Sequence, residues 1–165
     1  MRWRWGLTPL LLSAATVWAG YDANGVALGA SEKALIQQFP SAHCQPLQWK
    51  SRAADRRCDD ARIAIGGVSA RITFYLKGGE VQAFDVGFSP RDADRLAKFL
   101  KARYGAPMAE TRDLIGPAGK PEREIFKVRW ERGAERAVLT STKGHRRATL
   151  SVSRGDFEEE IYRVR

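Results

Sequence analysis

The chain has 165 residues, 44% of them hydrophobic and 28% charged, with 28 basic against 19 acidic side chains and a formal net charge of +9. That composition excludes a disordered chain and allows one domain with a real core. Two cysteines and two histidines are too few for a multi-ligand metal centre at ordinary spacing, so no metal ion and no cofactor are expected.

At the N-terminus, MRWRW carries Arg2 and Arg4, and GLTPLLLSAATV follows as an apolar stretch of secretory-signal length. Val17-Trp18-Ala19 supplies the small residues that precede a cleavage point, here before Gly20. The alternative is a retained N-terminal anchor, but Pro9 interrupts the apolar run. No cysteine stands directly after the cleavage point to accept a lipid, and no later segment approaches membrane-spanning length. The expectation is a signal peptide at 1–19 and a single α+β domain at 20–165, periplasmic or secreted and soluble after cleavage before Gly20. Losing Arg2 and Arg4 leaves 26 basic against 19 acidic side chains, a net +7. Export argues against nucleic acid as the partner. An anionic envelope lipid or polymer, or an acidic envelope protein, is left beside plain solubility as a reading of the charge.

Ser31 is a good N-cap, Leu35 and Phe39 share a helical face, and Pro40 ends the turn, which predicts a helix over 31–38. A loop follows with the only cysteines, Cys44 and Cys58, and a short strand near 46–50. The pair lacks the partners of a zinc site and the C-x-x-C spacing of a redox site. In an exported chain an even cysteine count reads as a disulfide. The stapled segment presents Trp49, Arg52, Arg56 and Arg57, a candidate binding loop.

Ile63 and Ile65 alternate, and ARITFYL puts Ala70, Ile72, Phe74 and Leu76 on one face with Arg71, Thr73 and Tyr75 opposite. The chain turns at Lys77-Gly78-Gly79 and returns as VQAFDVGF. A two-residue Gly-Gly turn would set Ile72 opposite Asp85 and bury that carboxylate. A three-residue turn with a bulge, Ile72 facing Phe84, avoids this and is preferred.

Ser89 and Pro90 open a helix over 89–105 whose stripe is Ala93, Leu96, Ala97, Leu100 and Tyr104, closed by Gly105. Residues 113–124 form a Gly/Pro-rich connection. Phe126, Val128 and Trp130 then alternate inward, followed by strands through Val138 and Thr140 and through Ala148, Leu150 and Val152. In the tail DFEEEIYRVR, Phe157 and Ile161 can face the sheet from one helical turn. The order is α-β-β-β-α-β-β-β: an α+β fold with an antiparallel sheet, two helices and one disulfide.

LGASEKALIQQFPSAHC resembles the opening of domains in the β-lactamase-inhibitor-protein and outer-membrane barrel-assembly accessory (BamE/SmpA-type) group. Gly29, Ser31, Leu35, Pro40, Cys44 and Cys58 carry that likeness, which covers residues 27–88. The second half opens instead on the longer helix SPRDADRLAKFLKARYG and has no cysteine. The resemblance implies a small envelope domain that binds other proteins and performs no chemistry.

Nucleophilic catalysis needs a Ser or Cys with a base and an orienting group. Neither His43 nor His145 stands beside a serine in a G-x-S-x-G elbow. Asp59-Asp60 and Glu158 to Glu160 read as solvated acids, and Arg154-Gly155-Asp156 is too short a match to an adhesion motif to carry weight. No catalytic residue is assigned. A basic cluster is the more informative feature: Lys127, Arg129, Arg132, Arg136, Lys143, Arg146 and Arg147 against Glu131 and Glu135. Either this face docks an anionic envelope component, or the acidic tail folds back to neutralise it. The readings are a non-enzymatic envelope binding or assembly protein, a secreted inhibitor of a cell-wall or lytic enzyme using the stapled loop, and a divergent periplasmic enzyme.

Overall fold

The computed structural model describes residues 20–163; the expected signal peptide at 1–19 lies outside the described residues. A small hairpin opens the described chain: β1 (Asp22–Ala23) and β2 (Val26–Ala27), joined by Asn24-Gly25 with both residues at positive φ. Helix α1 (Glu32–Gln38) follows, with the Ser31 hydroxyl accepting from the Ala34 amide at 3.1 Å as expected.

Four strands then form a meander: β3 (His43–Pro46), β4 (Arg56–Ile65), β5 (Val68–Lys77) and β6 (Glu80–Phe88). Helix α2 (Ala93–Tyr104) crosses to the far side, led by a 3-10 turn at Pro90–Asp92 under the Ser89 cap. A second meander returns: β7 (Ala109–Ile115), β8 (Arg123–Arg132), β9 (Glu135–Thr142) and β10 (Ala148–Arg154). It ends in the short helix α3 (Phe157–Glu160). The eight strands make one antiparallel sheet in the order β3-β4-β5-β6-β10-β9-β8-β7. Thus the α+β class and antiparallel sheet hold, while the element order differs. A helix followed by four strands occurs twice, with a small hairpin before and a third helical turn after.

Each apolar stripe lands on one side of the sheet. Leu35 and Phe39 from α1, and Ala93, Leu96, Ala97, Leu100 and Tyr104 from α2, pack on Ile72, Phe74, Phe84, Val86, Val128, Trp130, Leu139 and Leu150. Full burial of each large side chain there is worth about 1.5–3 kcal/mol. A smaller cluster lies on the opposite face, where Tyr75 and Ala83 are covered by Ala54, Phe157 and Ile161. The rest of that face stays open.

Three expectations are corrected. The β5–β6 turn is the two-residue Gly78-Gly79, both at positive φ (57° and 80°), with Lys77 facing Glu80. Pairing then shifts by one so that Phe74 faces Phe84 and Ile72 faces Val86. The bulge thus sits in β6 at Gln82 rather than in the turn, and it keeps Asp85 off the apolar face by a different route. The strand expected near 46–50 lies earlier, at His43–Pro46. Finally, the connection expected at 113–124 begins inside β7, an edge strand exposed along its whole length.

Candidate functional site

The stapled segment is held in place. Cys44 and Cys58 face each other across β3 and β4, bridged, with Cα atoms 4.0 Å apart. Glu32 lies beside the two sulfurs, but bridged sulfurs do not ligate a metal, and its carboxylate is taken by Arg56 at 2.9 Å. The four loop residues divide between different jobs. The Trp49 indole N–H donates to the Ile161 carbonyl at 2.7 Å and its ring stacks on Tyr162. Arg52 offers its carbonyl to Lys77 at 2.6 Å. Arg56 and Arg57 are strand residues of β4, so they point to opposite faces. Arg57 forms a two-pronged bond with Asp59 (2.8 and 2.6 Å), and the Thr73 hydroxyl donates to the same carboxylate at 2.6 Å. Burial alone would raise the Asp59 carboxyl, but the bonds from Arg57 and Thr73 outweigh it and hold the group below its ordinary range.

The seven basic residues do not form one patch. Lys127, Arg129 and Arg136 line a groove of about 390 Å³ on the open face, with Thr149, Ser151 and Ser153 as its floor. The acidic tail does fold back here. Arg136 donates to the Gly155 carbonyl at 2.9 Å and lies 3.7 Å from Glu159, while Glu158 lines the groove and Arg129 is paired with Glu131. Asp85 lies opposite Ser151 on the neighbouring strand β6. Burial raises its carboxyl, against a hydrogen bond from Ser151. Burial and then the Asp85 charge raise that of Glu158. Arg132 turns to the helix-bearing side, donating to the Tyr104 carbonyl at 3.5 Å with its guanidinium over the Tyr21 ring.

Lys143, Arg146 and Arg147 belong to the β9–β10 turn, at the end of the sheet where α2 begins. There they meet basic residues from distant segments. Lys143 and Arg146 share with Arg91 a cavity of about 600 Å³ on the helix-bearing side. Arg146 and Arg147 also line a shallow site with Arg71 on the other side. His145 faces Arg123 at 2.8 Å. Arg91, Lys143, Arg146 and Arg147 have no ion-pair partner among the described residues. The β7–β8 hairpin ends at the same level, carrying Leu114 and Ile115 at 66% and 56% exposure. Of the residues at this end, the three of the turn are candidates from the sequence, whereas Arg71 is placed only as an outward strand residue and Arg91, Ser141 and the apolar tip carry no expectation of a site. Spacing along the chain carries no sign that these belong together, because α2 and three strand pairings separate them. No protein-family model, characterised protein or solved structure matches the chain.

Proposed function

We propose that the chain is an exported, non-catalytic binding protein of the cell envelope that recognises an anionic envelope component through the cationic end of its sheet. One observation carries this reading: the β9–β10 turn gathers Lys143, Arg146 and Arg147 beside Arg71 and Arg91, without neutralising carboxylates on the turn itself. Cations left unpaired in this way keep their full attraction for an anionic surface, whereas those of the open-face groove are largely spent on Glu131 and the tail. The apolar tip at Leu114 and Ile115 stands beside them, a combination suited to a lipid interface.

The test is cosedimentation with vesicles of phosphatidylglycerol in phosphatidylcholine against phosphatidylcholine alone. The protein is expected to pellet only with the anionic vesicles, and Arg146→Glu/Arg147→Glu to weaken this by about tenfold or more, each basic side chain near such a surface contributing about 1 kcal/mol. Equal pelleting with both vesicle types, or an unchanged double variant, would overturn the reading.

A second reading, a secreted inhibitor of a cell-wall or lytic enzyme, is favoured by the open sheet face with its groove. The stapled loop supports it less, since Trp49 and Ser51 are already bonded to the C-terminal turn. Capture of a single enzyme from envelope extract that survives high salt, and is lost on Lys127→Glu, would move the assignment to this reading.

A further inference from the structure

We propose that the cavity between the start of α2 and the β9–β10 turn is a binding site for a phosphate monoester, held by Arg91, Lys143, Arg146 and the Ser141 hydroxyl. The proposal deepens the reading of an anionic ligand at this end of the sheet and rests on it.

The buried serine is the first support. Ser141 lies on β9 opposite Phe126, on the helix-bearing side, and is only 7% exposed. Its neighbours along that face, Ala137 and Leu139, are fully buried core. Its Oγ is not sealed from solvent, so a molecule in the cavity can reach it. Ser141 has no hydrogen-bond partner among the described residues, and it lines the cavity. A ligand oxygen in the cavity would satisfy it.

The charges give the ligand its sign. Arg91, Lys143 and Arg146 line the cavity without ion-pair partners among the described residues. The two carboxylates there, Asp94 and Glu124, are both bound by Arg112. Arg112 is in turn fixed 3.9 Å above the Phe126 ring. Two carboxylates against one guanidinium leave this wall with one net negative charge, which the three remaining cations outweigh. Three cations and a hydroxyl donor around one cavity match a tetrahedral dianion with three terminal oxygens better than a planar monoanionic carboxylate. At about 600 Å³ the cavity exceeds a bare phosphate and falls in the range of small-molecule sites. Pro90, Ala93 and Phe126 offer apolar surface for the carbon part of an ester.

The experiment titrates the full chain with glycerol 3-phosphate by calorimetry, and separately with vesicles of phosphatidic acid in phosphatidylcholine. Variants are Ser141→Ala, Lys143→Ala/Arg146→Ala and, as a control on the opposite face, Lys127→Ala. Glycerol 3-phosphate is expected to bind. Its affinity should fall about tenfold or more in the Lys143/Arg146 variant and several-fold in Ser141→Ala, as expected for lost charge-assisted and neutral bonds, with Lys127→Ala unchanged. Binding of phosphatidic acid vesicles alone, with the same sensitivity to Ser141→Ala, would support the site and place the phosphate on a lipid. Binding of either probe that ignores both cavity variants overturns the site. So does binding of phosphatidylglycerol vesicles with neither monoester recognised, an outcome that leaves the broader anionic reading standing. No binding to any anionic probe removes both. A melting curve for each variant identifies loss through unfolding, and Ser141→Ala, which removes one oxygen, keeps the test decisive if the double variant is unstable.

Discussion

Asp85 illustrates how one side chain reports on the open face. It lies on β6, paired in register with the groove residue Ser151, and burial holds its carboxyl above the ordinary range. A raised folded-state pKa means that the native state binds the proton more readily than the unfolded chain. Charged Asp85 therefore costs stability above its folded pKa, and that cost fades as pH falls through this value towards the unfolded one. Asp85→Asn, which preserves a partner for Ser151, is expected to melt higher than the native protein at neutral pH. The difference should shrink as pH falls through the raised value, and paired thermal melts across pH check this. A gap that widens on acidification would contradict it. Asp59 works in the opposite sense: its lowered carboxyl contributes stability at neutral pH that is lost on acidification. Neither behaviour could be read from the chain, where Asp59 and Asp85 are equally plausible solvated acids. Only the neighbours, Arg57 and Thr73 for one and a covered strand for the other, separate them.

Among elements, the disulfide hairpin is the clearest case of a device matched to its place. β3 has only four residues and lies at the sheet edge, so ladder bonds alone hold it weakly. The Cys44–Cys58 bridge ties it to β4 through Cys58, which is fully buried. Closing a loop of this length contributes about 3 kcal/mol on the chain-entropy estimate. Cys44→Ala/Cys58→Ala is expected to lose about that much in urea denaturation. Labelling of the unfolded native protein should find no free thiol; stoichiometric labelling would refute the pairing. The two long hairpins of the first meander depend on glycine for different reasons. Gly78-Gly79 must adopt positive φ to join β5 to β6. At Gly66, a Cβ would fall 2.4 Å from the Phe99 ring, so this turn also needs the missing side chain to let α2 approach. Helix limits were legible because stripes and caps are local: the stripe from Ala93 to Tyr104 is the one buried. The edge strand β7 was not. It is covered on neither face, so no alternation of side chains marks it, and its identity comes from the backbone ladder to β8. Asn24-Gly25, in contrast, was a usable hairpin signal that the reading of the sequence passed over.

For the whole molecule, the two ends differ in how their cations are paired. Glu131, Glu159 and Glu160 are bound by Arg129, Arg136 and Arg163 at the end where the tail leaves, while Lys143, Arg146 and Arg147 at the other have no ion-pair partner among the described residues. The unpaired end should face an anionic surface, and its attraction should be screened by salt. Vesicle binding is expected to fall steeply as salt is raised, since the screening length shortens from about 10 Å at 0.1 M to about 3 Å at 1 M. Sedimentation across that range checks it, and insensitivity to salt would favour the inhibitor reading, whose contacts lie on the more neutral open face. No helix among the described residues is long and apolar enough to cross a membrane.

The sequence by itself determined the two main helices and the buried faces of the strands whose side chains alternate, because periods of 3.6 and 2 residues are properties of a short segment. Together with the expectation of export it also pointed to the pairing of the two cysteines, which the structure shows. Tertiary structure alone decided that α2 carries the second meander to the far edge, so that β10 closes against β6. It also decided that seven basic residues close in sequence part into an open-face group, a helix-side arginine and a hairpin end. That division depends on which strands meet and on what covers each face, long-range pairings that no local pattern encodes.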